Sequence, residues 1–323
     1  MLRVFSPLRE IKIVASGDTI DVKGVWYDLY NPQPEEIARV ENCLALKIPT
    51  LDEMHAIETS SRFFQEDRSF YMTVNLIASS DSQNPISSPV TFILREHELV
   101  TIRYVDPKPF LTFSKKAEKN FKKELSPAAL FLSLLEMIVD RIADIVEEIG
   151  NEVDFVSKEI FCLNHSKNDR QRAMKEILSH IGKKGDLNSN ARLSVDNINR
   201  LLKFIRGKVF DEETVAHYED SLTILQQDVN SIMDHIAFQV NKINFLLDAT
   251  LGLINIEQNA TVKIFSVVAV IFLPPTLLAS IYGMNFAFMP ELKVAAGYPL
   301  ALVFMILSAV FPYLYFKRKG WLQ

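Results

Sequence analysis

The chain has 323 residues, 48% of them apolar, and a net charge of −5, so it can build substantial cores and is too apolar to be disordered. The last sixty residues, from Ile264, hold Glu291 against Lys293, Lys317, Arg318 and Lys319, a balance of +3 that leaves −8 on residues 1–263. So acidic a body excludes an extended phosphate-binding face, and with it a nucleic-acid partner, while it is compatible with binding cations.

Strand-like runs dominate the first hundred residues: Ile11–Val14, Val25–Tyr30, Phe70–Ile77, Val90–Leu94 and Leu99–Val105, interrupted by a helix opening at Pro34-Glu35. This pattern predicts an α/β domain over residues 1–125. Cys43 and Cys162 lie far apart with no apolar signal segment before them, which points to a reducing compartment without a disulfide framework. From Ser126-Pro127, a helix cap followed by proline at the first helical position, the chain reads as helix almost to its end, so the overall class is α+β. Residues 126–210 predict a helical hairpin. Its first arm is acidic, with Glu136, Asp140, Asp144, Glu147, Glu148, Glu152, Asp154 and Glu159 against Arg141 and Lys158; its second, residues 166–208, has eleven Lys or Arg and four acids. Opposite charges on facing sides would steady such a hairpin; alternatively, the acidic face concentrates cations near an entrance.

Residues 211–263 form a stalk helix by pattern. Val215, Tyr218, Leu222, Leu225, Val229, Ile232 and Ile236 recur in steps of three and four, continuing through Ile243, Leu246 and Leu253 with Gln239 and Thr250 as polar interruptions. The stripe needs a facing helix, from the same chain or from identical chains about an axis, and the polar interruptions predict a wide, partly wet seam.

Residues 264–323 predict a two-span membrane hairpin with an outer loop at 282–297. Ile264–Ile281 is eighteen residues without a charge and Tyr298–Phe316 is nineteen, each enough to cross a hydrocarbon core of roughly 30 Å. Lys263 precedes the first span and Lys317-Arg318-Lys319 follow the second, so both ends of the hairpin are expected in the cytoplasm, with Tyr313, Tyr315 and Trp321 at the interface. Pro274-Pro275 removes two backbone donors from the middle of the first span. Thr276 and Ser280 bring hydroxyls to the same half, which suggests that this span faces a wet axis. Two helices cannot enclose a pore, so several copies are implied.

The first span ends in Tyr282-Gly283-Met284-Asn285, and Met289-Pro290-Glu291-Leu292 follows. A penultimate span ending in Gly-Met-Asn and a last span running into a basic tail resemble the CorA family of magnesium channels. The likeness takes in Asn255-Ile256-Glu257-Gln258-Asn259, Pro274-Pro275-Thr276 and the tail Tyr313–Leu322, and upstream it is one of organisation; Ala287 departs from the acidic residue common in relatives. Physically, Gly283 can stop the helix and leave its last carbonyls and the negative end of its dipole at the mouth, while Asn285 adds a neutral amide oxygen suited to an ion that keeps its water.

The resemblance implies a homopentamer in the inner (plasma) membrane carrying Mg2+, with Co2+ or Ni2+ as further cargo. It implies a mouth at Gly283, Met284 and Asn285, with Glu291 in the outer loop. The implied pore runs past Thr276 and Leu273, then Phe265, Val262 and Asn259; these positions share one helical face, and Phe265 and Val262 could gate by dewetting. It also implies sensing of cytoplasmic Mg2+ by acidic residues, here Asp220, Asp228 and Asp234, which could equally be solvated charges. The membrane potential would supply the energy, since neither a phosphate loop nor a dinucleotide fingerprint calls for a nucleotide. A zinc transporter with the same hairpin and a membrane-anchored coiled-coil scaffold are the alternatives; Cys162-x-x-His165 is a lone pair and a poor zinc site. No catalytic constellation is visible, so an enzyme is not expected.

Overall fold

A computed structural model describes residues 1–5, 11–14, 20, 24–82, 84–120, 126–162, 167–284, 289–290 and 296–321. Seven strands among them form one sheet in the order β2-β1-β3-β7-β6-β5-β4. They are β1 (Leu2–Phe5), β2 (Ile11–Val14), β3 (Trp26–Tyr30), β4 (Phe63–Glu66), β5 (Ser69–Ala78), β6 (Ile86–Leu94) and β7 (Leu99–Arg103). Only β3 and β7 pair in parallel, Trp26 against Leu99 through Tyr30 against Arg103; the other neighbours are antiparallel. Between β3 and β5 run α1 (Pro34–Leu44), α2 (Leu51–Met54) and α3 (Thr59–Arg62), and α4 (Lys108–Asn120) follows β7.

Alternation along the strands sorts two cores. On one face Tyr27, Leu29, Ile93, Val100 and Ile102 pack with Val40 and Leu44 of α1 and Met54 of α2. On the other, Trp26 stacks on Phe5 with ring centroids 4.1 Å apart and meets Phe113 of α4 edge-on, while Phe92 meets Phe131 edge-on at 5.4 Å. This second face also buries a polar chain. Trp26 Nε1 donates to Thr101 Oγ1 (3.0 Å), Thr101 donates to Asp28 (2.8 Å), and Arg103 grips both oxygens of Asp28 at 3.0 and 2.9 Å. Arg103 is fully buried, bonds Asp106 as well, and lies over the rings of Tyr30 and Phe110. Burial alone would lower its pKa, but the two carboxylates outweigh it and hold the guanidinium charged.

Three long helices follow: α5 (Pro127–Cys162), α6 (Lys167–Phe204) and α7 (Glu212–Tyr282). Ser126 caps α5 through the Ala129 N–H (3.1 Å). A π-helical turn, Ile205–Val209, ends α6 before Asp211 caps α7 through the Thr214 N–H at 2.8 Å. The last described helix is α8 (Gly297–Arg318). The chain divides into two compact units, Met1–Ser166 with Lys175–Leu246, and Lys167–Met174 with Leu247–Gln323.

In the first unit the heptad stripe finds its partner within the chain. Leu222, Leu225, Val229, Ile232, Ile236, Ile243 and Leu246 are buried, and so is Gln239. Gln239 Nε2 donates to the Val146 carbonyl of α5 at 2.7 Å, and a Cβ on Gly150 would lie 3.0 Å from that nitrogen. Glycine at 150 thus makes the room that the amide occupies. Asn188 of α6 reaches the Ile236 carbonyl, while its Oδ1 and Gln239 Oε1 meet no donor. Opposite charges do join the hairpin, through Glu152 with Lys184 at 2.6 Å; His180 Nε2 also lies 3.0 Å from Glu152, whereas Asp154 turns to Lys242 of α7.

Candidate functional site

The lower part of α7, within the second unit, carries the candidate pore residues. From Ile264 to Ile281 the residues are uncharged, and the helix continues unbroken through Pro274-Pro275 to Tyr282. The prolines leave the carbonyls of Val270 and Ile271 without their usual donors. Thr276 does not serve them: its hydroxyl donates to the Phe272 carbonyl at 2.7 Å, a bond back to its own preceding turn. Ser266 does the same toward Val262 at 2.9 Å.

Burial divides this helix into two sides. Val267 is the one buried residue of the described span, with Ile271, Pro274, Pro275 and Leu278 half-buried near it. Asn259, Val262, Phe265, Leu273 and Thr276 are all exposed, Phe265 at 71%. At 3.6 residues per turn these five fall within an arc of about 120°, roughly opposite Val267. On α8 a half-buried stripe of Ala301, Met305, Ser308, Ala309, Pro312 and Phe316 recurs in helical steps, while the rest of the helix is largely exposed. Both helices are long and apolar enough to cross a membrane. Small residues on the half-buried stripe suit packing between helices in lipid, where close approach replaces the hydrophobic drive.

At its C-terminal end α7 stops without the left-handed turn of the usual glycine cap. Gly283 N–H still bonds the Ala279 carbonyl (2.9 Å) as a further helical residue, and Met284 N–H turns to Ile281 (3.2 Å), so the Ser280 carbonyl loses its usual partner. A Cβ at Gly283 would press the Ala279 carbonyl oxygen at 3.2 Å, which is the local reason for glycine here. Gly283 and Met284 are exposed; Asn285, Ala287 and Glu291 lie outside the described residues, as does His165.

The three candidate sensor acids are not gathered. Asp220, Asp228 and Asp234 are exposed and stand eight and six residues apart on α7, about 12 and 9 Å along the axis, too far to ligate one ion together. Asp228 borders a groove between α5 and α7 whose walls include Asp140, Glu147, Asp154 and His235. Among the described residues no three His, Cys, Asp or Glu are placed to hold a metal.

Two features escaped the sequence reading. One is a second stripe on α7, Ile224, Phe238 and Phe245, exposed at 58, 64 and 59%; its spacing in multiples of seven beside the buried stripe was the available signal. The other is the approach of Lys263 to Trp321, with the ammonium 5.8 Å from the ring centroid.

Known proteins resemble this chain over nearly its whole length. Residues 21–318 match the family model of the CorA-like Mg2+ transporter protein. The magnesium transport protein CorA of Escherichia coli is 36% identical over 301 residues, 93% of either chain. That of Salmonella typhimurium is 36% identical over 315 residues, 98% of this chain and 96% of the relative. The complete structure of the CorA magnesium transporter from Methanocaldococcus jannaschii superposes with a TM-score of 0.72 at 18% identity, covering 99% of this chain and 98% of that one.

Proposed function

The chain belongs to the CorA-like Mg2+ transporter family, a family of transporters rather than enzymes, and from that premise we propose that copies of it assemble about an axis as an ion channel that admits Mg2+. In this reading residues 1–125, 126–210 and 211–263 are cytoplasmic domain, hairpin and stalk, and 264–323 form the hairpin in the inner (plasma) membrane, with both termini in the cytoplasm. Asn259, Val262, Phe265, Leu273 and Thr276 line the pore of a pentamer, and Gly283, Met284 and Asn285 form its mouth, with Glu291 nearby.

The observation that carries the reading is the two-sidedness of lower α7: the five candidate positions stand exposed together, away from the side that bears Val267. Identical helices set about an axis would turn those positions toward one another. The exposed stripe Ile224, Phe238 and Phe245 supports association of copies higher on the same helix. At the mouth, Ser280's freed carbonyl and the negative helix end favour a cation, and amide oxygens from Asn285 would hold a hydrated Mg2+ without stripping its water. Phe265 and Val262 make an apolar constriction that closes by dewetting. An inside-negative potential draws a divalent ion inward with about 4.6 kcal/mol per 100 mV, twice the value for a single charge. Cytoplasmic Mg2+ closes the channel through Asp220, Asp228 and Asp234, each paired across copies rather than with one another; Co2+ and Ni2+ follow the same route.

Uptake of Mg2+ into liposomes holding the full chain, under an imposed inside-negative potential, tests the reading. Wild type is expected to admit Mg2+ and Asn285→Ala to lose most of that flux. Zinc entry without Mg2+ entry would move the chain to a zinc transporter, and no flux of either ion from inserted oligomers would refute the channel.

A further inference from the structure

The second span ends in a more elaborate turn than a helix stop requires. Gly320 adopts φ +69°, the left-handed conformation that glycine enters without penalty. The Trp321 N–H reaches back to the Phe316 carbonyl at 3.1 Å and the Gly320 N–H to Lys317 at 3.2 Å, the paired bonds of a Schellman motif. The apolar contact that accompanies such a motif is present too, Trp321 stacking on Phe316 with centroids 5.3 Å apart. The turn therefore fixes the indole, and it fixes it beside Lys263 at the start of the first span.

Four cations belong to this end of the hairpin, one of them at the indole and three in the last turn before it. Lys263 faces Trp321, Lys317 lies over Tyr313 at 6.0 Å and Lys319 over Tyr315 at 5.1 Å, with Arg318 between them. Among the described residues none of the four pairs with a carboxylate. Ile264 and Phe311, neither of them among the candidate pore residues, leave apolar surface exposed on the same two helices, at 44 and 77%. Any ligand suited to this place must meet uncompensated positive charge, aromatic edges and apolar surface together. A free anion meets only the first; an anionic phospholipid meets all three, with its phosphate at the cations and its acyl chains along the helices.

We propose that Lys263, Lys317, Arg318, Lys319 and Trp321 form a binding site for anionic phospholipid headgroups at the end of the membrane hairpin. The proposal rests on the membrane reading above but not on the identity of the ion carried.

Trp321 supplies the test. The chain has two tryptophans, and Trp26 is buried in the sheet domain, so lipids with brominated acyl chains quench Trp321 selectively. The full chain is reconstituted in phosphatidylcholine vesicles containing brominated phosphatidylglycerol, and in phosphatidylglycerol vesicles containing brominated phosphatidylcholine. Wild type is expected to show the anionic lipid enriched beside Trp321 by roughly fivefold over its mole fraction, the attraction typical of a single interfacial basic residue or more. The triple variant K317Q/R318Q/K319Q is expected to bring quenching down to mole fraction. Should that variant fail to insert, Arg318→Gln alone is expected to lower the enrichment measurably. Quenching that follows mole fraction in wild type, or enrichment that survives the substitutions, would overturn the site; so would loss of enrichment on adding soluble glycerol phosphate, which would mark a site for free anions. Quenching is read without ion flux, so a chain that carried no Mg2+ would refute the channel and leave this outcome standing.

Discussion

The two parts of α7 solve opposite problems with one helix. Up to Leu246 it buries a single stripe, Leu222 to Leu246, and apart from the exposed Ile224, Phe238 and Phe245 presents mostly polar residues elsewhere. Beyond Lys263 it is apolar all round, and among the described residues only Val267 is buried. In water the position of apolar residues tells which side packs. In a bilayer the apolar residues carry no such information, because lipid and protein are equally apolar, and the sidedness falls to small and polar departures such as Pro274, Pro275 and Thr276. The contrast explains why a buried amide matters in the upper part and a buried methyl in the lower.

The largest expected effect sharpens the upper half. Gln239→Glu would place a carboxylate against the Val146 carbonyl at a buried position and should cost about 3–5 kcal/mol, the range for an unpaired buried charge. Gln239→Leu removes the undonated Oε1 and should change stability by less than about 1 kcal/mol. Denaturant unfolding followed by Trp26 fluorescence separates the two; equal losses would mean that water reaches the side chain at 239. Next comes a direct exchange between the halves. Phe272→Asp should raise the insertion free energy by about 2.5–3.5 kcal/mol, read as the inserted fraction in a membrane-insertion assay. Phe238→Asp, equally exposed in one chain, should alter the fold by no more than about 0.5 kcal/mol yet shift the detergent-solubilised oligomer toward smaller species. If Phe238→Asp leaves the oligomer intact, the exposed stripe is not an interface.

The smallest effect belongs to the first unit alone. Asp81 binds Lys108 and Arg141, and chiefly the Lys108 hydrogen bond holds its carboxyl below the usual aspartate range. A depressed native pKa means that the stabilisation is complete above the unfolded value of about 3.9 and fades as pH falls through the native one. Asp81 is half exposed, so the pair is worth less than about 1 kcal/mol. Asp81→Asn should therefore differ slightly from wild type at neutral pH and converge with it on acidification below pH ~4, measured by pH-dependent denaturant midpoints; a gap that widens with acid would refute the assignment.

Much of this was legible in the residues. The long helices, both apolar spans and five of the seven strands follow from periodicity and turn signals, and the shared face of Asn259, Val262, Phe265, Leu273 and Thr276 follows from spacing. Two strands were not legible, for physical reasons. Leu2–Phe5 and Phe63–Glu66 are four residues each, no longer than Ile11–Val14, a length at which alternation barely exceeds chance, and are held by their neighbours rather than by propensity. The partner of Gln239 could not be read from spacing, because the Val146 carbonyl is ninety-three residues away. Thr276 was read as a hydroxyl toward a wet axis, and only coordinates could show it donating to the Phe272 carbonyl. At the mouth, Gly283 was expected to stop the helix, and the stop has a different form, with a close carbonyl in place of a left-handed turn.

The parallel pairing of β3 with β7 sets a timetable for biosynthesis. Tyr30 leaves the ribosome some seventy residues before Leu99, a wait of several seconds at about 5–20 residues per second. Until then Trp26 and Asp28 have no Thr101 or Arg103, and the middle of the sheet stays an open edge that other chains could pair with. Closure still comes long before Ile264 is made, so the sheet can mature while the message for the spans is unread. Damage to Arg103 or Asp28 would accordingly surface as nascent-chain aggregation and early degradation, upstream of any defect in the membrane.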